Sequence, residues 1–143
     1  MSAWEPAEMQ AMLGEVFAPW VQALDLCAEA VDAAGADFTF PAGEALIRGG
    51  GPGGGVLSGQ AVAAAGDTAS VVTLAALGGR MRACTTVDLT AHFMRPLPAG
   101  KIALRVAVLS NGRRMAVTRA EFRAEGSEKL AATVTCTFAW LEE

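Results

Sequence analysis

The chain has 143 residues, a length that predicts one domain able to bury a core. Its apolar fraction is 52% and its charged fraction is 18%, below the roughly 25% that is usual in soluble proteins. Because so little charge is available to cover the surface, we expect another subunit to cover part of the apolar surface. The net charge of −4 argues against a protein that binds the phosphates of nucleic acids.

Neither the cysteines nor the N-terminal residues indicate a metal centre, a disulfide framework or a signal peptide. Cys27, Cys84 and Cys136 are widely separated and odd in number. Residues 1–15 contain three glutamates and no basic residue. Asp67 interrupts the longest apolar run, so we expect no membrane span and a cytoplasmic location.

The N-terminal part of the chain is predicted to combine short helices with a pair of strands. Apolar residues recur at helical spacing within residues 6–22, where Pro19 interrupts them. Residues 24–32 show the alternation of a strand, although their alanine content also suits a helix. We interpret this segment as a strand that pairs with residues 37–40 through the intervening turn.

A glycine-rich segment and a long apolar segment follow. Residues 48–55 read Arg-Gly-Gly-Gly-Pro-Gly-Gly-Gly, which predicts a loop because glycine loses the most backbone freedom on ordering. Residues 58–77 would be apolar on nearly every side of a helix, and such a helix is buried. The Gly78-Gly79 pair is predicted to end this helix.

The C-terminal part is predicted to form strands joined by short turns. Asn111-Gly112 is interpreted as a two-residue hairpin turn, because both residues tolerate positive φ. The whole chain then contains two strands, a long buried helix and four antiparallel strands. This order predicts an α+β fold in which an antiparallel sheet wraps around one helix. The four strands are expected at about residues 82–94, 101–108, 115–124 and 133–140.

Asp67 is the residue of the apolar helix that most needs an explanation. No other ionisable residue lies between Arg48 and Arg80. Burial of a lone carboxylate is costly, so Asp67 is expected to have partners or a shifted pKa. At the edge of a pocket it can serve as a nucleophile or as a base that activates water. Alternatively, Gly66-Asp67-Thr68 caps a second helix, if the long helix is broken there.

Two motifs carry a resemblance to a known family. They are Gly55-Val-Leu-Ser-Gly-Gln-Ala-Val-Ala-Ala-Ala-Gly-Asp-Thr-Ala69 and Thr85-Thr-Val-Asp-Leu-Thr-Ala-His-Phe-Met-Arg-Pro96. They resemble the phenylacetate-pathway type of hot-dog acyl-CoA thioesterase, and the similarity extends over residues 24–140. The resemblance implies a hot-dog domain at residues 24–143, after a helical segment at residues 1–23. It also implies an acyl-CoA substrate, no separate cofactor, and a homo-oligomer that is a dimer or a dimer of dimers.

The resemblance assigns roles to three residues. Asp67 matches the family's catalytic carboxylate, which acts as nucleophile or general base. Gly59 matches the glycine whose backbone N–H, at the start of the helix, polarises the thioester carbonyl. Free N–H groups and the helix dipole both favour a developing oxyanion at that place. Thr86 matches a hydroxyl that orients the water or the carboxylate, or else it is an ordinary strand threonine.

Three positions depart from the family's pattern. Ser58 stands where the family has a histidine, Gln60 where it has a second glycine, and Pro52 where some relatives have an asparagine. Ser58 stays a candidate for the catalytic site, although we favour a helix cap, and Gln60 is a candidate substrate contact. These departures affect the substrate and the rate more than the reaction class. They also leave a non-catalytic acyl-CoA binding module as an alternative.

Arginines are the candidates for binding the phosphates of coenzyme A. Arg113 and Arg114 come directly after the predicted hairpin turn, and Arg80 and Arg82 are further candidates. Each of these arginines would equally suit a solvated surface.

His92 is the only histidine of the chain and is expected to be a structural or surface residue. A hot-dog hydratase needs a histidine near the buried helix, whereas His92 comes late in the next strand, so hydration is the less favoured reaction. A triad of Ser58, His92 and Asp67 is a further alternative, but it lacks the elbow motif of such enzymes.

Overall fold

The computed structural model describes residues 2–141. Two short helices come first, followed by two strands, a long helix and four strands, so the predicted order of strands around the long helix is confirmed. The elements are α1 (Pro6–Glu15), α2 (Pro19–Gln22), β1 (Cys27–Val31), β2 (Gly35–Ala42), α3 (Gly59–Gly78), β3 (Cys84–Phe93), β4 (Gly100–Asn111), β5 (Met115–Ala124) and β6 (Ala132–Trp140).

The six strands form one antiparallel sheet in the order β1-β2-β4-β5-β6-β3. Helix α3 contacts the last five strands, and the apolar side chains between helix and sheet form the core. The largest buried side chains are Phe38, Phe40, Phe122 and Phe138. Burial of a phenylalanine contributes roughly 1.5–3 kcal/mol, so these rings account for much of the core's stabilisation. The predicted α+β hot-dog fold is confirmed.

Helix α3 is continuous, and both of its ends match the sequence prediction. At its start Ser58 is the N-cap, and its Oγ accepts a hydrogen bond from the N–H of Ala61 at 3.2 Å. At its end Gly79 adopts the left-handed region with a φ of 73°, as helix C-caps commonly do. The alternative in which Gly66-Asp67-Thr68 starts a second helix is therefore wrong.

Helix α3 comes very close to the sheet at Gly66. A Cβ atom at this position would lie 2.8 Å from the Cβ of Val134 on β6. Because real Cβ atoms do not approach one another so closely, only glycine lets the helix backbone pack at this depth against β6. Asp67 is the next residue, so this contact also sets the depth at which its carboxylate lies.

The turn between β4 and β5 differs from the sequence prediction. The hairpin turns at Arg113 and Arg114, and the predicted turn at Asn111-Gly112 is wrong, since Asn111 stays in β4 opposite Ala116. The ladder between the two strands contains a bulge after Val108. The register on both sides of the bulge, with Val108 opposite Thr118 and Asn111 opposite Ala116, carries β4 past the predicted turn.

The predicted strand at residues 24–32 is shorter in the structure, where β1 begins at Cys27. Asp25 has a φ of 56°, in the left-handed region, which an extended strand cannot accommodate. Leu26 is nevertheless buried, and its carbonyl accepts a hydrogen bond from the side-chain amide of Gln10 on α1. The residues before β1 therefore join α1 to the edge of the core.

Helix α3 is also long and apolar enough to span a membrane, judged by length and composition alone. Within the fold, 67% of its most apolar window is buried. Because core helices share this length and composition, the feature is weak support for a membrane span.

Candidate active site

The carboxylate of Asp67 is hydrogen-bonded to strand β3. Thr86 Oγ1 donates to Asp67 Oδ1 at 2.7 Å. Asp67 is half-buried, and the loss of solvation raises the pKa of its carboxyl above the ordinary value of 3.8. The bond from Thr86 opposes this shift, because it stabilises the ionised form. The structure thus joins two of the sequence-predicted site residues and makes Asp67 a stronger base than an exposed aspartate.

A cluster of buried polar side chains lies one helical turn beyond Asp67. Thr118 Oγ1 of β5 donates to Ser70 Oγ of α3 at 2.7 Å, and the buried thiol of Cys136 on β6 lies beside both hydroxyls. Burial, followed by the nearby charge of Asp67, raises the pKa of this thiol to about 12. These contacts tie the helix that carries Asp67 to two strands. The cluster was not predicted from the sequence, although the three-residue spacing places Ser70 on the same helix face as Asp67.

The N-terminal end of α3 opens on a cleft of about 550 Å³, called the Gly59 cleft below. Gly59 is the first residue of the helix, and N–H groups of the first turn have no acceptor within the helix. A Cβ atom at Gly59 would lie 3.3 Å from the ring carbon Cζ of Phe93, so a larger side chain would crowd this ring. The cleft is bounded by the glycine-rich loop, the start of α3, and the end of β3 with the residues that follow.

Asp67 and Gly59 lie at different places on α3. They are eight residues apart, and this spacing corresponds to about 12 Å along a helix that rises about 1.5 Å per residue. Asp67 is not among the residues that line the Gly59 cleft. On β3, Asp67 contacts Thr86 and Gly59 lies beside Phe93, and these two β3 residues are near opposite ends of the strand. A single chain therefore does not bring the carboxylate and the Gly59 N–H to one point.

Three of the predicted phosphate contacts lie together at one corner of the sheet. Arg113 and Arg114 form the exposed β4–β5 turn, and the carbonyl of Arg114 accepts a hydrogen bond from the N–H of Trp140. The guanidinium carbon of Arg82 lies 3.8 Å from the centre of the Trp140 ring. Because Trp140 pairs with the first residue of β3, this corner is at the same end of β3 as Thr86.

The remaining candidates lie apart from Asp67. Gln60 is exposed on the first turn of α3, and Pro52 is exposed in the glycine-rich loop. His92 is exposed on β3, and in the described part of the chain no hydrogen bond joins Ser58, His92 and Asp67 into a triad. The same part of the chain contains no group of three or more His, Cys, Asp or Glu side chains that could hold a metal ion.

Solved structures share this fold over most of the chain. A thioesterase from Haemophilus influenzae superposes with a TM-score of 0.82 at 19% identity, covering 99% of this chain and 93% of that one. A phenylacetic acid degradation-related protein from Ralstonia eutropha is 28% identical, with a TM-score of 0.76 and coverage of 92% and 98%. A conserved protein from Pseudomonas aeruginosa is 25% identical, with a TM-score of 0.75 and coverage of 90% and 98%. Comparison with curated proteins finds no match.

A family model supports the relationship at the level of sequence. The model for the acyl-CoA thioesterase N-terminal domain matches residues 46–139. This segment starts before the glycine-rich loop, includes α3, and ends one residue before the end of β6. It therefore contains both motifs on which the sequence resemblance rests, as well as Gly59, Asp67 and Thr86. The chain belongs to the hot-dog thioesterases, in the family of acyl-CoA thioesterase N-terminal domains.

Proposed function

We propose that this protein hydrolyses the thioester bond of acyl-CoA substrates. The observation that carries the proposal is a half-buried carboxylate, Asp67, fixed by Thr86 on the helix whose first N–H groups open on the Gly59 cleft. Thioester hydrolysis requires a nucleophile that attacks the carbonyl carbon, or a base that activates water to do so. It also requires hydrogen-bond donors that stabilise the oxyanion. Membership of a thioesterase family supports the same reaction.

Asp67 is assigned the role of general base or nucleophile. Thr86 holds one carboxylate oxygen, and the other is left to take a proton from water or to attack the carbonyl carbon. Burial raises the pKa of this carboxyl, and a higher pKa makes it a better proton acceptor. By either route water is consumed, the carbon–sulfur bond breaks, and the products are the free acid and the thiol of coenzyme A.

The backbone N–H of Gly59 is assigned the role of hydrogen-bond donor to the oxyanion. The helix N-terminus carries about half a positive charge, which stabilises negative charge developing on the carbonyl oxygen. Ser58 satisfies the N–H of Ala61 and leaves that of Gly59 for the substrate. The exposed side chain of Gln60 is next to this N–H and is assigned a contact with the substrate.

A complete site takes its carboxylate and its oxyanion donor from two copies of the chain. The two groups are about 12 Å apart along one helix, whereas the reacting atoms must approach to about 3 Å. β3 is an edge strand and exposes Val87 and Phe93 at 52% and 57%. Antiparallel pairing of two β3 strands about their middle would bring the Thr86 end of each copy beside the Phe93 end of the other. The resulting two-fold dimer has two equivalent sites, and dimers can pair further into tetramers.

Arg82, Arg113 and Arg114 are assigned to the phosphates of coenzyme A. A guanidinium binds phosphate through two parallel hydrogen bonds. In the proposed dimer, the corner that carries these arginines lies beside the copy's own Asp67 and Thr86, at one end of a shared site.

Turnover of a panel of acyl-CoA thioesters, followed with a thiol-trapping reagent, tests the proposal. We expect hydrolysis by the wild-type protein and its loss in Asp67→Asn. Binding of acyl-CoA without release of thiol would favour the non-catalytic binding module, which the engagement of Ser58 as a helix cap supports. Hydration of an enoyl-CoA without release of thiol would favour the hydratase instead.

A further inference from the structure

Two arginines line the Gly59 cleft together with apolar side chains. Arg48 belongs to the glycine-rich loop, and Arg95 follows β3. Within residues 2–141, neither guanidinium makes an ion pair or a hydrogen bond. The apolar part of the cleft comes from Val56, Leu57, Val62, Phe93, Met94 and Leu97. The cleft therefore combines an apolar wall with two uncompensated positive charges.

The glycine-rich loop determines where the guanidinium of Arg48 lies. The loop closes on itself through hydrogen bonds from the N–H of Arg48 to the carbonyl of Val56, at 2.8 Å, and from the N–H of Gly55 to the carbonyl of Arg48, at 2.9 Å. A Cβ atom at Gly53 would lie 3.3 Å from Nη1 of Arg48. Because Gly53 has no side chain, the guanidinium of the exposed Arg48 can lie against the loop, at the cleft that both residues line.

Arg95 is fixed from the opposite side of the cleft. Its backbone N–H donates to the carbonyl of Ala131 at 3.0 Å, and Pro96 restricts the backbone of Arg95, the residue before it. The chain direction at Arg95 is thus set by the sheet rather than by a free loop. Two arginines on separately anchored segments face one cleft, as a site for an anion requires.

We propose that the Gly59 cleft binds an anionic group carried by the acyl chain of the substrate, such as a terminal carboxylate. The apolar residues would hold the methylene stem, and Arg48 and Arg95 would bind the carboxylate through charge-assisted hydrogen bonds. An acyl chain with an apolar end would gain no hydrogen bond from these two exposed guanidinium groups, which would stay with water as their acceptor. The inference rests on the proposed function, because it places the thioester carbonyl at Gly59.

The length of coenzyme A favours the acyl chain over the phosphates as the source of the anion. The pantetheine arm contains three units of about residue size, and an extended chain spans about 3.5 Å per residue, so the phosphates lie more than about 10 Å from the thioester. Arg48 and Arg95 line the same cleft as Gly59. The phosphates have another group of arginines available at the corner formed by Arg82, Arg113 and Arg114.

The test compares adipoyl-CoA with hexanoyl-CoA, which have acyl chains of equal length and differ in the terminal carboxylate. We expect the wild-type protein to favour adipoyl-CoA about ten- to hundredfold in kcat/KM, the usual effect of hydrogen bonds to a charged group. Arg48→Gln and Arg95→Gln should each reduce this preference, and the double variant should abolish it. Arg119→Gln, which alters an arginine paired with Glu121 on the sheet, is the control. The proposal would be overturned if the wild-type protein hydrolysed adipoyl-CoA and hexanoyl-CoA with equal kcat/KM. It would also be overturned if the preference for adipoyl-CoA survived in the double variant.

Pantetheine thioesters of the same two acyl chains distinguish the two sources of negative charge. The preference for the adipoyl chain should persist when the nucleotide is absent, and it should still depend on Arg48 and Arg95. The proposal is wrong if the two variants instead remove the advantage of coenzyme A over pantetheine equally for both acyl chains, because the arginines would then bind the phosphates.

Binding measurements separate failure of this inference from failure of the proposed function. Isothermal titration with non-hydrolysable thioether analogues of adipoyl-CoA and hexanoyl-CoA reports on the cleft without turnover. Selective binding of the adipoyl analogue by a protein that hydrolyses neither thioester would refute the hydrolase and retain the anion site. Equal binding of both analogues by a protein that hydrolyses both thioesters would refute the anion site alone.

Discussion

The start of α3 and the helical turn that carries Asp67 provide different chemical groups to a substrate. At the start, the Gly59 cleft provides space and a free backbone N–H, but no acidic residue or histidine among residues 2–141 lines it. Around Asp67 there is a carboxylate with a raised pKa, but its hydrogen-bond partner is Thr86 on β3, which does not line the cleft. On the proposed mechanism each region is half of a hydrolytic site. On that mechanism a single well-packed chain lacks a complete hydrolytic site until it pairs with a second copy.

The largest expected effect is that of removing the charge of Asp67. Asp67→Asn should lower kcat by about a hundredfold or more on the best thioester, because loss of a general base typically costs that much. Substrate binding should change little, since the neutral side chain has nearly the same shape. The measurement is kcat and KM of purified variants on the thioester that the wild-type protein hydrolyses fastest.

The pH dependence of stability and a second Asp→Asn variant, at Asp25, provide the controls for this prediction. The folded protein disfavours ionised Asp67, so its stability should fall as pH rises from the ordinary pKa towards the raised one, and Asp67→Asn should lack this fall. At neutral pH the variant should unfold at the same denaturant concentration as wild type or a higher one. Asp25→Asn, at a positive φ that asparagine tolerates, should retain full activity. A kcat above about a tenth of wild type in Asp67→Asn would exclude the assigned role.

Mixing two inactive variants tests whether the two regions act across a dimer. Asp67→Ala removes the carboxylate, and Gly59→Val crowds the ring of Phe93 and the oxyanion donor. Random assembly makes half of the dimers mixed, and each mixed dimer has one site with both groups intact. Activity should therefore recover to about a quarter of wild type by two-fold symmetry. The measurement is thioester hydrolysis after the two variants are unfolded and refolded together.

The oligomeric state decides how this result is understood. Light scattering should show a dimer or tetramer at micromolar concentration, and mass spectrometry should detect the mixed species. A monomer, or mixed dimers without recovered activity, would mean that the shared site is wrong and that one chain supplies both groups.

The bond between Thr86 and Asp67 should set the acidic limb of the pH profile. On the proposed mechanism only the carboxylate form of Asp67 is active, so activity should be lost as pH falls through its raised pKa, above the ordinary 3.8. Thr86→Val removes the bond that lowers this pKa, so the limb should move to higher pH. Thr86→Ser keeps a hydroxyl and should leave the limb in place. A limb that does not move in Thr86→Val would show that another group controls it.

The fold was largely predictable from the sequence, and the physical reasons are visible in particular segments. The apolar run of α3 and the alternation of apolar residues in β4 to β6 are local patterns. Each predicts one type of element and the side of that element that is buried. The β4–β5 turn was misplaced because the register of the two strands, with Val108 opposite Thr118, depends on packing along the hairpin rather than on the turn residues. Asp25 escaped prediction for a similar reason, since its left-handed conformation depends on the packing of α1 against the chain before β1.

The candidate site was predictable only in part. Asp67 was conspicuous as a lone charge in an apolar helix, and its distance from Gly59 follows from helix geometry. The contacts of Ser70 and the guanidinium of Arg48 were not predictable, because both depend on segments distant in sequence or on loop conformation. A glycine-rich loop indicates conformational freedom, and only the folded structure shows what the freedom is used for.

The smallest expected effect concerns the helix between the two regions, where Gly66 packs on Val134. Gly66→Ala places a Cβ 2.8 Å from the Cβ of Val134, and such overpacking usually destabilises by about 1–3 kcal/mol. Gly14→Ala in α1 meets nothing within 4 Å, so it should stabilise by up to about 1 kcal/mol through helix propensity. Urea unfolding measures both changes. If Gly66→Ala stabilises the protein as Gly14→Ala does, helix propensity rather than contact with β6 governs Gly66, and the depth of Asp67 needs another explanation.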